Sequence, residues 1–237
     1  MTEDLLEQIN FWNEFAYEYT EIQEETRTSI VEDISTYLKE KNVLPTDSFL
    51  DLAGGSGKYV ETILPFVNQY VLVDFSSKML EIARENHPSE KLALYCKDQT
   101  SFLSQTADNS FDVVFSAMNP ALQKQNDLLE YLRIARKRIC LLRVIEESDE
   151  LFSSYEIKDT ASHKLMERYK EWLPVPFESK KFKYTYMETV SKKFFKSYFS
   201  KDLSKEKLSQ ALNDFGPLNE RENKTTIYFE ALLVSVG

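Results

Sequence analysis

The stretch Ser48-Phe-Leu-Asp-Leu-Ala-Gly-Gly-Ser-Gly-Lys-Tyr-Val60 decides how the rest of the chain is read. A short apolar approach, Phe49-Leu50, ends at Asp51, and three of the protein's five glycines follow at Gly54, Gly55 and Gly57. Glycine costs backbone entropy and is useful where φ must be positive or where a ligand must touch the main chain. A chain this poor in glycine that places three within four positions points to a small molecule lying against the backbone there. Residues 48 to 60 read as a strand, a nucleotide-cradling loop and the start of a helix.

Outward from that loop, residues 48 to 143 alternate short apolar runs with amphipathic segments of helical length. The runs are Phe49-Leu50, Tyr70 to Val73, Leu92 to Tyr95, Phe111 to Phe115 and Ile139 to Leu142. Nearly continuous apolar strands separated by helices imply a parallel sheet covered on both faces and built from right-handed crossovers. The expected fold is therefore a doubly wound α/β sheet, with ligands at the carboxyl ends of the strands. Residues 1 to 24 place Leu5, Ile9, Trp12, Ala16 and Tyr19 at helical spacing, and a second helix carries Ile30, Ile34 and Leu38 before Pro45. After residue 144 the pattern changes: 150 to 172 reads as helix, Lys181 to Val190 alternates as a half-buried strand, a helix near Lys205 to Leu212 stops at Gly216-Pro217, and Thr225 to Val236 is a last strand.

Spacing separates two nucleotide-binding possibilities. The dinucleotide fingerprint needs G-x-G-x-x-G, and with Gly55 and Gly57 as its first two members the third position is Val60, so a nicotinamide or flavin dinucleotide is disfavoured. Asp51-Leu-Ala-Gly-Gly-Ser-Gly57 instead resembles motif I of the class I S-adenosylmethionine-dependent methyltransferases, D-x-G-x-G-x-G, with Ala53 in place of the first glycine. This variant is similar to that of quinone-biosynthesis methyltransferases. The likeness continues in Asp74-Phe-Ser-Ser-Lys-Met-Leu-Glu-Ile-Ala83, similar to the D-x-S-x-x-M-L-x-x-A segment of small-molecule methyltransferases, and in Trp12, Ala16 and Tyr19, which resemble their lead-in helix. The similar region spans residues 8 to 143.

The resemblance implies a seven-stranded, mostly parallel sheet with a reversed last strand, a helical N-terminal lid over residues 1–45, a cofactor-binding core over 46–145, and a cap insertion with the final strands over 146–237. It implies S-adenosylmethionine as cofactor, S-adenosylhomocysteine as product, and a cofactor site made by Tyr19, Asp51, Ala53, Gly54, Gly55, Gly57, Asp74, Phe75, Ser76, Met79, Asp98, Gln99, Ser116 and Met118. A ribose diol suits a bidentate carboxylate, assigned to Asp74, and the methionine ammonium favours carboxylate and carbonyl groups near Asp51. Asp98 is placed to accept from the adenine amino group, although Lys97 stands where the family has glycine and a helix N-cap is the plain alternative. Asn119-Pro120 shares two letters with the [DN]-P-P-[YFW] motif of nucleic-acid amino-methyltransferases but lacks its second proline and aromatic residue, so a simple proline turn is expected. No general base stands out; Tyr17, Tyr19 and His163 are weak candidates by residue type.

Composition narrows the partners. The net charge of −10 argues against general nucleic-acid binding, which depends on phosphate neutralisation. Residues 1 to 45 hold eleven acids against three Lys or Arg. The exception is residues 178 to 207, with nine lysines against four acids among Phe182, Tyr184, Tyr186, Phe194, Phe195, Tyr198 and Phe199. That segment is either a strand and helix with aromatic core and solvated lysines, or a surface for RNA, protein or an anionic substrate. Arg133, Arg136, Lys137 and Arg138 suggest complementation of a helix dipole. Cys96 and Cys140 are expected as buried, reduced thiols, possible neighbours in the sheet, and no cysteine or histidine spacing suggests a metal. With an acidic N-terminus and no apolar run near the ~18 residues of a membrane span, a cytoplasmic protein is expected. The leading reading is methyl transfer to a small molecule, with an RNA or protein methyltransferase and a non-catalytic cofactor-binding domain as alternatives.

Overall fold

The computed structural model describes residues 3–24, 28–156 and 164–236. Seven strands, β1 (Thr46–Leu52), β2 (Val67–Asp74), β3 (Leu92–Cys96), β4 (Phe111–Ala117), β5 (Ala135–Asp149), β6 (Phe177–Ser191) and β7 (Glu220–Ser235), form one sheet in the order β3-β2-β1-β4-β5-β7-β6. β1 pairs in parallel with β2 on one side and β4 on the other, with Leu50 opposite Val71 and Val114. β3 and β5 extend the parallel set outward. β7 is reversed: Val236 N donates to Lys137 O and Glu150 N to Lys224 O, so one strand climbs as the other descends. The doubly wound sheet with its reversed last strand is the fold expected from the sequence.

The compact part that carries the parallel strands comprises the chain up to Arg143, Leu165–Lys180 and the residues from Glu230 onward. Phe49, Leu50, Tyr70 to Val73, Val113 to Phe115 and Ile139 to Leu142 are all buried, as two-sided helical cover requires. That cover includes α1 (Glu3–Glu24), α2 (Ile30–Glu40), the single turn α3 (Val60–Ile63), α4 (Ser77–Asn86), α5 (Gln99–Gln105), α6 (Gln125–Ile134) and α7 (Leu165–Trp172). α1 lies on α4, where Ala16, Met79 and Ile82 form a small core with Trp12 and Tyr19 against it. Asn13 Oδ1 fixes this docking by accepting from Ser76 Oγ (2.8 Å) and Lys78 N (3.3 Å).

A second compact unit comprises Val144–Lys164 and Lys181–Phe229. Its core gathers Leu151, Phe152, Val190, Phe195, Phe199, Ala211 and Phe215. The helices α8 (Lys192–Phe199) and α9 (Lys205–Phe215) supply four of these, each helix starting at a serine cap, Ser191 and Ser204. Within this unit β6 and β7 are antiparallel, Lys192 N bonding Asn219 O while Thr185 faces Thr226.

Several local expectations are corrected. Cys96 and Cys140 are not neighbours, because β2, β1 and β4 separate β3 from β5, and Cys96 is exposed at the end of an edge strand. β3 is half-buried over Leu92 to Leu94 and exposed at Tyr95 and Cys96 for the same reason. Residues 150 to 156 form bends and turns, so the helix expected from 150 begins only at Leu165 among the described residues, while α8, with Phe195 and Phe199 buried, is the helix of the strand-and-helix alternative for residues 178 to 207. Arg133 lies in the last turn of α6, as dipole complementation expects, and it also donates to Leu103 O and Thr106 O, closing the carboxyl end of α5, while pairing with Asp108 and Glu130. Arg136 and Lys137 pair with Asp112, a carboxylate buried at the amino end of β4.

Candidate active site

The order β2-β1-β4 makes β1 the strand from which the connections depart in opposite directions, and in open α/β sheets the crevice beyond such a point binds ligands. A pocket enclosing about 550 Å³ of empty space, its mouth included, lies there. Leu52 and Ala53 follow β1, Val73, Asp74 and Phe75 follow β2, Lys97, Asp98 and Gln99 follow β3, and Asn119, Pro120 and Ala121 follow β4. Leu5 and Gln8 of α1 complete the wall.

The glycine loop is shaped by two different constraints. A Cβ at Gly54 would lie 2.7 Å from Leu72 and 2.8 Å from the Asp51 carboxylate, so only glycine lets the chain pass over that acid. Gly55 has φ +56°, and a Cβ there would meet only Met79 Sδ at an ordinary 3.9 Å, so its constraint is conformational. Ala53 adopts φ +58°, a left-handed conformation that costs a Cβ-bearing residue of order 1 kcal/mol or more. The backbone therefore retains the shape of a glycine although the side chain is alanine. Met118, just beyond β4, is left-handed too, at φ +51°.

Two carboxylates organise the loop. Asp74 accepts from Gly55 N (3.0 Å) and Ser76 N (2.8 Å), tying the ends of β1 and β2 together while facing the pocket. Burial raises its pKa, and these amide hydrogen bonds partly offset the rise. Asp51 is 1% exposed and accepts from Tyr70 Oη at 2.8 Å. Burial, opposed by that bond and reinforced by the Asp74 charge, pushes Asp51 up to about 7. No cation pairs with either carboxylate among the described residues, so a positively charged ligand would relieve both.

The remaining expected residues divide between the pocket wall and its support. Ala53, Asp74, Phe75, Asp98 and Gln99 line the pocket. Asp98 is also the N-cap of α5, accepting from Ser101 N at 2.9 Å, and bonds of this kind hold its carboxyl below the usual range. Ser76 is buried as the cap of α4, Met79 is buried under α1, and Ser116 donates to Leu52 O behind the pocket. Met118 N donates to Leu142 O, which anchors the β4 loop on β5. Gly57, at φ +85°, packs close to Val60 and His87.

Among the weak base candidates, Tyr17 is exposed, and burial raises the pKa of Tyr19, which opposes the phenolate a base would need. His163 lies outside the described residues.

Asn119 turns out to be more than a loop residue. It is 2% exposed: its Oδ1 accepts from Ala121 N (2.8 Å), and its Nδ2 lies within donating distance of Gln99 Oε1 (2.7 Å), Ser116 Oγ (3.0 Å) and Tyr131 Oη (3.0 Å). Tyr131 Oη donates to Gln99 Oε1 at 2.5 Å. Asn119 O accepts from Arg143 Nη1 (2.9 Å), and Tyr169 Oη, donating to Leu122 O, braces the same loop. Sequence reasoning missed Tyr131, Arg143 and Tyr169; the only signal was three polar groups at otherwise apolar core positions.

Residues 49–139 match the family model described as a methyltransferase domain. No curated protein sequence matches the chain. Among solved structures, the YcgJ protein of Bacillus subtilis is 13% identical, with a TM-score of 0.54 over 86% of this chain and 98% of its own. The magnesium protoporphyrin IX methyltransferase of Synechocystis PCC 6803, solved with bound S-adenosylmethionine, is 12% identical with a TM-score of 0.52 over 100% and 99%. The [4+2]-cyclase SpnF, at 17% identity and TM-score 0.50 over 87% and 82%, has the same fold. Residues 49–139 are thus similar to a methyltransferase domain, and the chain shares the fold of these solved structures. The residues present would fit S-adenosylmethionine: Asp74 on the pocket wall and Asp51 buried behind it carry no cation partner among the described residues, which suits a cationic ligand bearing a diol, and the cap of α5 lies along the same wall.

Proposed function

We propose that the protein is a methyltransferase that uses S-adenosylmethionine as methyl donor and a small molecule as acceptor. The observation that carries this reading is the position of α1: Leu5 and Gln8 form part of the pocket wall, so a helix that Asn13 pins to α4 narrows access from outside. A cleft narrowed in this way favours an acceptor that can enter whole over one displayed on a polymer. Asp74 would hold the ribose hydroxyls, Asp51 and the loop carbonyls the ammonium, and Asp98 with Gln99 the adenine. Ala53, Gly54, Gly55 and Gly57 would supply a backbone surface, supported by Ser76, Met79, Ser116 and Met118, with Phe75 and Tyr19 as apolar neighbours.

The bound donor supplies an activated sulfonium methyl, so the protein's own task is alignment and exclusion of water, effects worth up to roughly 7–11 kcal/mol in favourable cases. Residues 1–45 would act as the lid, 46–145 as the cofactor core and 146–237 as cap and closing strands, with acceptor specificity residing in the cap. An RNA or protein acceptor would need a continuous basic face in residues 178 to 207. Against that, Lys180 pairs with Glu40, Lys192 donates to Gly216 O, and Lys183 lies over Tyr228.

Incubation with isotopically labelled S-adenosylmethionine and fractionated cell extract tests the reading. Label in the metabolite fraction is expected. Label confined to RNA or protein would replace the small-molecule acceptor, and no label in any fraction would favour a non-catalytic domain.

A further inference from the structure

The polar cluster beneath the pocket has a fixed direction. Ala121 N is a backbone donor, so the Asn119 atom 2.8 Å away must be its carbonyl oxygen, and the amide nitrogen must face the other way. That nitrogen approaches Gln99 at 2.7 Å, so Gln99 must present its own oxygen there. Tyr131 Oη, 3.0 Å from the Asn119 amide nitrogen, accepts from it and donates to the same Gln99 oxygen at 2.5 Å. Ser116 Oγ uses its proton on Leu52 O, so it too can only accept from Asn119. One unambiguous backbone donor thus sets every amide in the chain. Gln99 Oε1 is claimed twice from below, and its Nε2 donor is turned away from the cluster.

Gln99 lines the pocket and is half-buried, and its Nε2 is not among the buried polar atoms without a partner. We propose that Asn119 and Tyr131 are positioning residues that lock the Gln99 side chain with its amide donor toward the ligand, so that the pocket selects a purine presenting a ring-nitrogen acceptor there. This rests on the S-adenosylmethionine reading of the pocket. The selectivity it implies is for adenine over hypoxanthine, whose N1 carries a proton and is a donor. A merely structural cluster would support the β4 loop equally well with either base bound.

The test is the ratio of dissociation constants for S-adenosylhomocysteine and S-inosylhomocysteine, measured by titration calorimetry on the full chain. Wild type is expected to favour the adenosyl ligand by about tenfold or more, the scale of one buried hydrogen bond made or lost. Gln99→Glu, which replaces the donor with an acceptor, should erase or reverse the ratio. Tyr131→Phe and Asn119→Ala should lower it several-fold by freeing the amide to turn, while Asn119→Gln tests rescue by a longer amide. A wild-type ratio retained by Gln99→Glu would overturn the inference. If buried-site variants fail to fold by circular dichroism, the Gln99→Glu result alone decides. Wild type that binds neither ligand would overturn the cofactor-site reading and this inference with it, whereas binding of both with equal affinity would overturn the inference alone.

Discussion

The two ends of the central strands bury carboxylates in opposite ways. At the amino end of β4, Asp112 is 0% exposed but faces Lys137 Nζ at 3.0 Å and Arg136 Nη1 at 3.1 Å, and it accepts from Thr46 Oγ1 and Asp47 N. Those partners hold its carboxyl below the usual range. At the carboxyl ends of β1 and β2, Asp51 and Asp74 are as deeply buried but meet only amides, a phenol and each other, and both are pushed up. A buried acid matched by its own cations is complete as structure. One left without them is costly until a cationic ligand arrives, and that difference marks the carboxyl end of this sheet as the candidate site.

The most severe break in this contrast is Asp74→Ala. Loss of charge-assisted hydrogen bonds worth roughly 1.5–3 kcal/mol each should weaken S-adenosylhomocysteine binding by about 10²–10⁴-fold. The stabilisation that this ligand gives wild type, ~2.7 kcal/mol at 100 times its Kd, should largely vanish from thermal unfolding. An unchanged thermal shift would mean that the ribose is held elsewhere. Asp112→Ala should do the reverse: binding stays near wild type while unfolding in urea shows a loss of about 2 kcal/mol, since Asp47 N and Thr46 Oγ1 lose their acceptor and the two cations are already half in water.

The pH dependence sharpens the contrast because the two acids act with opposite sign. Asp112 binds its proton less readily folded than unfolded, so its stabilisation is present above the ordinary aspartate range and is lost as pH falls. Asp51 binds its proton more readily folded, so its contribution is full below pH ~4 and declines as pH rises toward about 7. The expected slope from Asp51 is at most roughly 1.4 kcal/mol per pH unit. Comparing urea unfolding of wild type and Asp51→Asn between pH 4 and 7 isolates it; identical slopes would remove Asp51 as the cause. The same proton should be released when a cationic ligand binds near pH 7, measurable as a buffer-dependent binding enthalpy.

The smallest effect concerns the loop itself. Ala53→Gly relieves a left-handed alanine but frees the unfolded chain, so stability should stay within about 1 kcal/mol of wild type. Ala53→Val, with a β-branched side chain at φ +58°, should cost ~2 kcal/mol or more in the same urea titration. Equal stability of the two variants would show that φ does not limit this position.

Much of the fold, and the meeting of the glycine loop with two acids at the carboxyl ends of the strands, was legible in the residues. The runs from Phe49 to Leu142 marked the five parallel strands because burial on both faces leaves an apolar signature without tertiary context. Asp51, the glycines and Asp74 were readable because the loop and the strand ends that form it are local in sequence. The expectation for Cys96 failed for the converse reason, because apolar neighbours do not reveal that β3 is an edge strand, and the second helix that Arg133 closes was equally invisible in its local sequence. No helix among the described residues is long and apolar enough to cross a membrane.

By itself, then, the sequence determined the sheet, the place of the glycine loop and the two acids beside it, because each rests on a pattern a few residues long. Only the tertiary structure decided that Asn119, Gln99 and Tyr131, up to 32 residues apart, share one hydrogen-bond chain, and that Asp51 and Asp112 differ in what their burial means. The reason is physical: a side chain's charge state and orientation are set by neighbours that strand order brings to it, and strand order is not local.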